Sequence, residues 1–296
     1  MIRKLDGPSA SIGCDAAHFW PYGLNYDDES TPQAFMRHVQ VVSAMRLDMG
    51  IVSSSELHGF DGSFDIATGA ELEFSGNSVQ LNGVVSGGGS LLHSGTGTLV
   101  MAANHTYTGG TVVNGGKVVL FSKAGTGCIR GPLTVNSGGS VETTGDGTGL
   151  GWLDHISSVT LNGGTITSPG TCHVWNIPGG ITMTGGTLRS NNGTSDPNGP
   201  QLEWNRTSVT TLASANTSTI GGRIRIRNDA GYAAVSFNVE DGAAATDLLL
   251  SAAVTEASSG LGISKSGAGK MILTGSNNYS GATTISAGTL VAETTG

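Results

Sequence analysis

At 296 residues with 48 glycines, 12% charged and 5% aromatic residues, the chain has the length of one or two domains and an unusual surface. A hydrophobic fraction of 37% and a mean hydropathy of +0.01 exclude a chain that stays unfolded for want of a core. A formal charge of −8 argues against any general affinity for nucleic acid or an anionic membrane surface.

The first 59 residues have a style of their own. Their opening, MIRKLDGPSASIG, lacks the apolar core of a signal peptide, and no run anywhere reaches the roughly 18 apolar residues of a membrane helix, so the chain as given reads as soluble. In STPQAFMRHVQVVSAMRLDMG, Thr31 suits an N-cap, Pro32 the first helical position and Gly50 the position after the last turn. Phe35, Val39, Val42 and Met45 share a helical face. This spacing predicts a short amphipathic helix over about residues 32–49, which would cap the end of the solenoid that follows.

From residue 60 the pattern changes to short strands and glycine turns. The doublets Gly115-Gly116, Gly138-Gly139, Gly163-Gly164 and Gly185-Gly186 are 23, 25 and 22 residues apart. Around them Leu133 and Val135, Val159, Leu161 and Ile166, and Ile181, Met183 and Leu188 alternate with small polar residues. Period two puts each set on one face. Strands too short for a sheet of their own, recurring at this interval, predict a right-handed parallel β-helix over residues 60–296, with coils of roughly 22–25 residues. About ten coils at about 4.8 Å each would make a rod about 50 Å long.

The clearest internal signal is a duplication. SGTGTLVMAANHTYTGGTVVNGGKVV, residues 94–119, returns ungapped 172 positions later as SGAGKMILTGSNNYSGATTISAGTLV, residues 266–291. Both segments resemble the autotransporter-associated β-strand repeat, also called the passenger-associated transport repeat, of secreted bacterial β-helices. The family's GxGxLxLxG strand, Asn-Tyr-Thr-Gly turn and TxVxxGxL strand are met at Gly95 to Val118 and Gly267 to Leu290, and more loosely ahead of the first copy. One departure is clear: where the second copy keeps Asn277, the first has His105. The resemblance implies an extracellular or cell-surface passenger serving as stalk, display or adhesion surface. It also implies a fragment of a longer protein, since the sequence ends inside a repeat at Gly296 without the translocating barrel. The open solenoid ends suggest self-association.

Chemistry is harder to read. HExxH, GxSxG, P-loop, EF-hand and SxxK strings are all missing. Cys14, Cys128 and Cys172 are too few and too scattered for a disulfide framework or a zinc cluster, and read as buried thiols. His18, His38 and His58 lie among Asp15, Asp27, Asp28, Glu29 and Asp61. Together with His105 these histidines are candidate ligands for a divalent ion such as zinc, which would support hydrolysis of an ester or phosphoester by a metal-bound hydroxide. Such ligands usually show one tight spacing, which these lack. His155 and His173 would stack only if the coil were shorter than average. Arg223, Arg225 and Arg227 point to one side of a strand, with Ile224 and Ile226 to the other, and are candidates for contact with an anion or an acidic glycan. Glu71 and Glu73 likewise face outward. Three readings are therefore compatible with the sequence: a non-catalytic passenger segment, a metal-dependent hydrolase of broad specificity, and a β-helix that binds or cleaves carbohydrate.

Overall fold

A computed structural model describes residues 12–14, 38–43, 45–47, 58–76, 78–121, 127–144, 150–151, 153, 155–169, 173–190, 202–205, 207–229, 231 and 234–293. The fold is an all-β parallel solenoid. Two sheets of eleven strands run its length, one from Met45–Leu47 to Thr283–Ile285 and the other from His58–Phe60 to Thr289–Ala292. At intervals of about 4.8 Å, ten steps between eleven strands make a stack about 48 Å long.

Alternation explains the packing. Leu133, Val159, Ile181, Val209 and Phe237 stand in register on successive coils of the first long sheet, and each is at most 1% exposed. Val118, Val141, Ile166, Leu188, Ile220, Leu250 and Leu273 form the facing column from the second long sheet. The intervening residues Thr134, Thr160, Thr182 and Thr210 point outward and are half-buried by one another. At the corner beside them Asn136 donates through Nδ2 to Asn114 Oδ1 at 2.6 Å, and Asn162 donates to Asn136 Oδ1 at 2.9 Å. Stacked amides of this kind satisfy one another from coil to coil.

The coils are less uniform than the glycine doublets suggest. One step along the second long sheet takes 19 residues from Leu99 to Val118, 25 from Val141 to Ile166, 32 from Leu188 to Ile220 and 30 from Ile220 to Leu250. Register demands only that strands meet; the corners between them absorb the extra residues.

Two shorter sheets fill the third side of the solenoid. A head sheet joins Ile12–Cys14, His38–Val41, Ser63–Ile66 and Val85–Gly87; a middle sheet joins His173–Trp175, Leu202–Trp204, Arg223–Ile226 and Ala253–Glu256.

The expected helix over residues 32–49 is corrected wherever that segment is described. His38–Val41 is a strand, parallel to Ser63–Ile66 and antiparallel to Ile12–Cys14, and Met45–Leu47 is a strand parallel to Glu71–Phe74. Val41 ends the strand 2% exposed against the core, and Val42, in the bend that follows, is 42% exposed. A run containing Val39, Val41 and Val42 satisfies both periods, and the unpaired edge of a sheet supplies backbone partners that a lone helix cannot match. Parallel pairing consequently reaches back to His38. The expected cap residues Thr31, Pro32 and Gly50 lie outside the described residues.

Candidate functional site

The duplicated segment repeats one side-chain arrangement twice along the solenoid. In the first copy the turn after Thr98–Met101 runs across the last strand of the head sheet: Thr106 N–H donates to Val85 O at 2.8 Å and Thr108 N–H to Gly87 O at 3.0 Å. In the second copy Asn278 N–H donates to Val254 O at 2.8 Å, on the last strand of the middle sheet. Each turn therefore closes a third-side sheet at its edge.

A sheet edge leaves backbone donors without partners, and burial makes that costly. The turn supplies the acceptor. Asn277 Oδ1 receives the N–H of Val254 at 3.0 Å, and His105 Nδ1 receives the N–H of Val85 at the same 3.0 Å. Two residues on, Tyr107 and Tyr279 pair their hydroxyls with Thr111 and Thr283 at 2.6 and 2.7 Å. Gly109 and Gly281 then pass so close to the preceding coil that a Cβ would lie 2.4 and 2.3 Å from backbone carbon. Seven residues further on, Gly116 and Gly288 turn the corner at φ +57° and +68°, a region that L side chains avoid.

His105 is 0% exposed. Since Nδ1 accepts, the neutral ring carries its proton on Nε2, and that buried atom has no hydrogen-bond partner among the described residues. Burial pulls the imidazole down to about 4, so the ring stays neutral at ordinary pH.

One residue before the duplicated segment, His93 and Lys265 occupy equivalent inward positions, each 1% exposed. Lys265 Nζ donates to the carbonyls of Gly267 and Ala287 at 2.9 Å and to Ser266 O at 3.3 Å. Burial lowers its pKa, with the nearby Asp247 charge acting the other way. His93 places Nδ1 3.2 Å from Phe74 O and Nε2 3.1 Å from Gly97 O. Burial lowers its pKa too, partly offset by those two carbonyls. Both residues serve the corner carbonyls. Alternation with Leu91 and Ile263 already marks these polar residues as inward-facing, a signal present in the sequence and passed over.

The expected metal ligands fall on separate elements. His38 lies on a head-sheet strand, His58 on the first strand of the second long sheet and His105 in the repeat turn, while His18 falls outside the described residues. Among the described residues no three His, Cys, Asp or Glu side chains stand close enough to hold one ion. His105 has also committed Nδ1 to Val85. His155 precedes the Ile156–Asn162 strand of a long sheet and His173 belongs to the middle sheet, so they lie on different sides of the coil.

Arg223, Arg225 and Arg227 do project away from buried Ile224 and Ile226. The charge of Arg225 and Arg227 is answered locally by a residue that sequence reasoning missed. Glu203, one coil earlier and in register with Arg225, is 0% exposed. It accepts from Arg225 Nη1 at 2.9 Å and from Arg227 Nη1, while Arg227 Nε reaches Asp229 at 2.7 Å. The bond to Asp229 is the largest of the contacts that raise the Arg227 pKa. Only the register between Leu202–Trp204 and Arg223–Ile226 brings this cluster together.

The passenger-associated-transport-repeat family matches residues 93–120 and 263–292, which contain both turns and the two buried polar positions, His93 and Lys265. These two stretches are similar to passenger-associated transport repeats. The repeat and the β-solenoid together fit an autotransporter passenger segment, and the repeat family implies a secreted or surface protein. No curated protein and no solved structure matches the chain. Among the described residues no helix is long and apolar enough to cross a membrane.

Proposed function

We propose that this passenger segment is a rigid stalk and display surface rather than a catalyst. The observation that supports this most directly is the unbroken parallel pairing of two eleven-stranded sheets, whose third-side edges are closed by the repeat turns. Every strand of a solenoid packs on its neighbours, so the rod resists bending without a globular core. The outward rows of threonine and asparagine give a wall with little charge, suited to solvent or to carrying other parts of a surface protein.

The reading is tested by fusing a small folded domain to each end and measuring the distance between spin labels on the two domains. A stalk holds one narrow distance set by the stack. A broad distribution extending to short distances would end the proposal. Binding of the isolated chain to immobilised glycans, or turnover of ester substrates that chelators abolish, would replace it with the adhesive or hydrolytic reading.

A further inference from the structure

The asparagine ladder at the corner of the first long sheet carries chemistry as well as structure. In an Asn-Gly pair the backbone nitrogen of glycine, with no side chain beside it, can reach the asparagine Cγ and displace its amide. Among the described residues there are three such pairs, Asn82-Gly83, Asn114-Gly115 and Asn162-Gly163, and all three asparagines are exposed. Their surroundings differ.

At Asn82 the nucleophile is held. Gly83 N–H donates to Phe60 O at 3.3 Å, and a Cβ on Gly83 would lie 2.0 Å from Gly62 O, so this backbone has no room to swing. The Asn82 amide is tied as well, accepting from Gln80 Nε2 at 2.6 Å and donating to Asp61 Oδ1 at 2.7 Å. Gly163 is bridged to the backbone of Asn136. Asn162 enters the ladder as a donor, through Nδ2 to Asn136 Oδ1, so the ladder does not activate its carbonyl.

Asn114 is the acceptor end. Its Oδ1 receives Asn136 Nδ2 from the next coil at 2.6 Å. Gly115 lies in the bend between the strands Thr111–Val113 and Gly116–Phe121. A hydrogen bond aimed at a carbonyl oxygen favours attack at its carbon, because negative charge gathers on that oxygen in the transition state. Asn136 has a polarised carbonyl of its own, but Ser137 follows it with a side chain in the way.

We propose that Asn114-Gly115 is a self-modifying site, at which Asn136 assists conversion of Asn114 to aspartate or isoaspartate. Gly115 N gives its proton to solvent base and bonds to Asn114 Cγ, while the carbonyl electron pair moves onto Oδ1, where the Asn136 Nδ2–H meets it. Collapse breaks the Cγ–Nδ2 bond and releases ammonia, with a proton taken from water. Water then opens the cyclic imide at either carbonyl. The net reaction consumes one water for each ammonia released and needs neither an enzyme nor an oxidant. An aspartate at 114 still accepts from Asn136, so the ladder survives while its wall gains a charge. Isoaspartate adds a backbone atom to the corner.

Incubating the folded chain in mildly alkaline buffer and mapping its peptides by mass spectrometry tests this. Asn114 should convert about tenfold faster than Asn82 or Asn162, the factor expected of one neutral hydrogen bond that strengthens in the transition state. In urea the three rates should converge. Asn136→Asp removes the donor yet still accepts from Asn162, so it should slow Asn114 about tenfold and leave Asn82 and Asn162 unchanged. Asn136→Ala should slow Asn114 as well. If Asn114 is no faster than the other two in the fold, keeps its lead in urea, or holds or raises its rate in either variant, the proposal is overturned.

Discussion

Residues 93–120 and 263–292 share one plan and differ in their surroundings. Tyr107 is 0% exposed beneath a following coil, while Tyr279 in the terminal coil is only partly buried, although both make the same hydroxyl pair with a threonine. Asn277 and His105 each accept the N–H of a valine on a third-side edge strand, Val254 and Val85, with different chemistry. Hydrogen bonds in this repeat are therefore set locally by its sequence, whereas its hydrophobic contribution depends on the neighbouring coil. An acceptor at the turn is required; an amide is not.

The comparison can be strained most severely at the tyrosines. Tyr107→Ala should cost about 3–5 kcal/mol in urea unfolding, as for other buried aromatic truncations, and Tyr279→Ala well under half as much. Equal losses would mean that the following coil contributes little. Next comes the histidine. Unfolded, His105 takes its proton near 6.5, but in the fold only near 4. The stability it contributes is thus complete above pH 6.5 and is lost as pH falls through 4. Relative to wild type, His105→Asn, which copies the second repeat, should remove roughly 3 kcal/mol of acid sensitivity across that window, while near pH 7 the two proteins should unfold alike. Parallel pH profiles for both would contradict the role assigned to Nδ1.

Smaller effects sharpen the same contrast. Lys265→Met leaves the carbonyls of Gly267 and Ala287 without their donor, and should cost roughly 1–3 kcal/mol by chemical denaturation. No change would show that water serves those carbonyls equally well. At the small end, Lys117→Ala removes a surface pair with Glu142 in the first copy. Exposed pairs contribute about 0–1 kcal/mol, so a thermal shift larger than that would point to a further role for Lys117.

Several features of this chain could be read without coordinates. The columns containing Val159, Leu161 and Ile166 followed from alternation, because a strand inverts its side chains at every residue. The equivalence of His105 with Asn277 followed from aligning the duplication, though its meaning did not: the N–H of Val85 that it accepts lies 20 residues earlier. Residues 38–41 were misread because Val39, Val41 and Val42 fit two periods, and only pairing with Ser63–Ile66 chose between them. Glu203 was missed for a similar reason. Between Leu202 and Trp204 it looks like an outward strand residue, and a partner 22 residues away becomes visible only when the register is known.

Local pattern alone determined that the chain would be a parallel solenoid, where its glycine corners would fall and that one turn would be used twice. Those properties depend on side-chain direction and backbone freedom, which act within a few residues. Tertiary structure alone decided the length of each coil, the closing of the third-side sheets, the clamp on Glu203 and the contrast in burial between the two copies. Each of these depends on which coil lies above and below, a relation between residues about 20 to 30 positions apart that the corners leave free to vary.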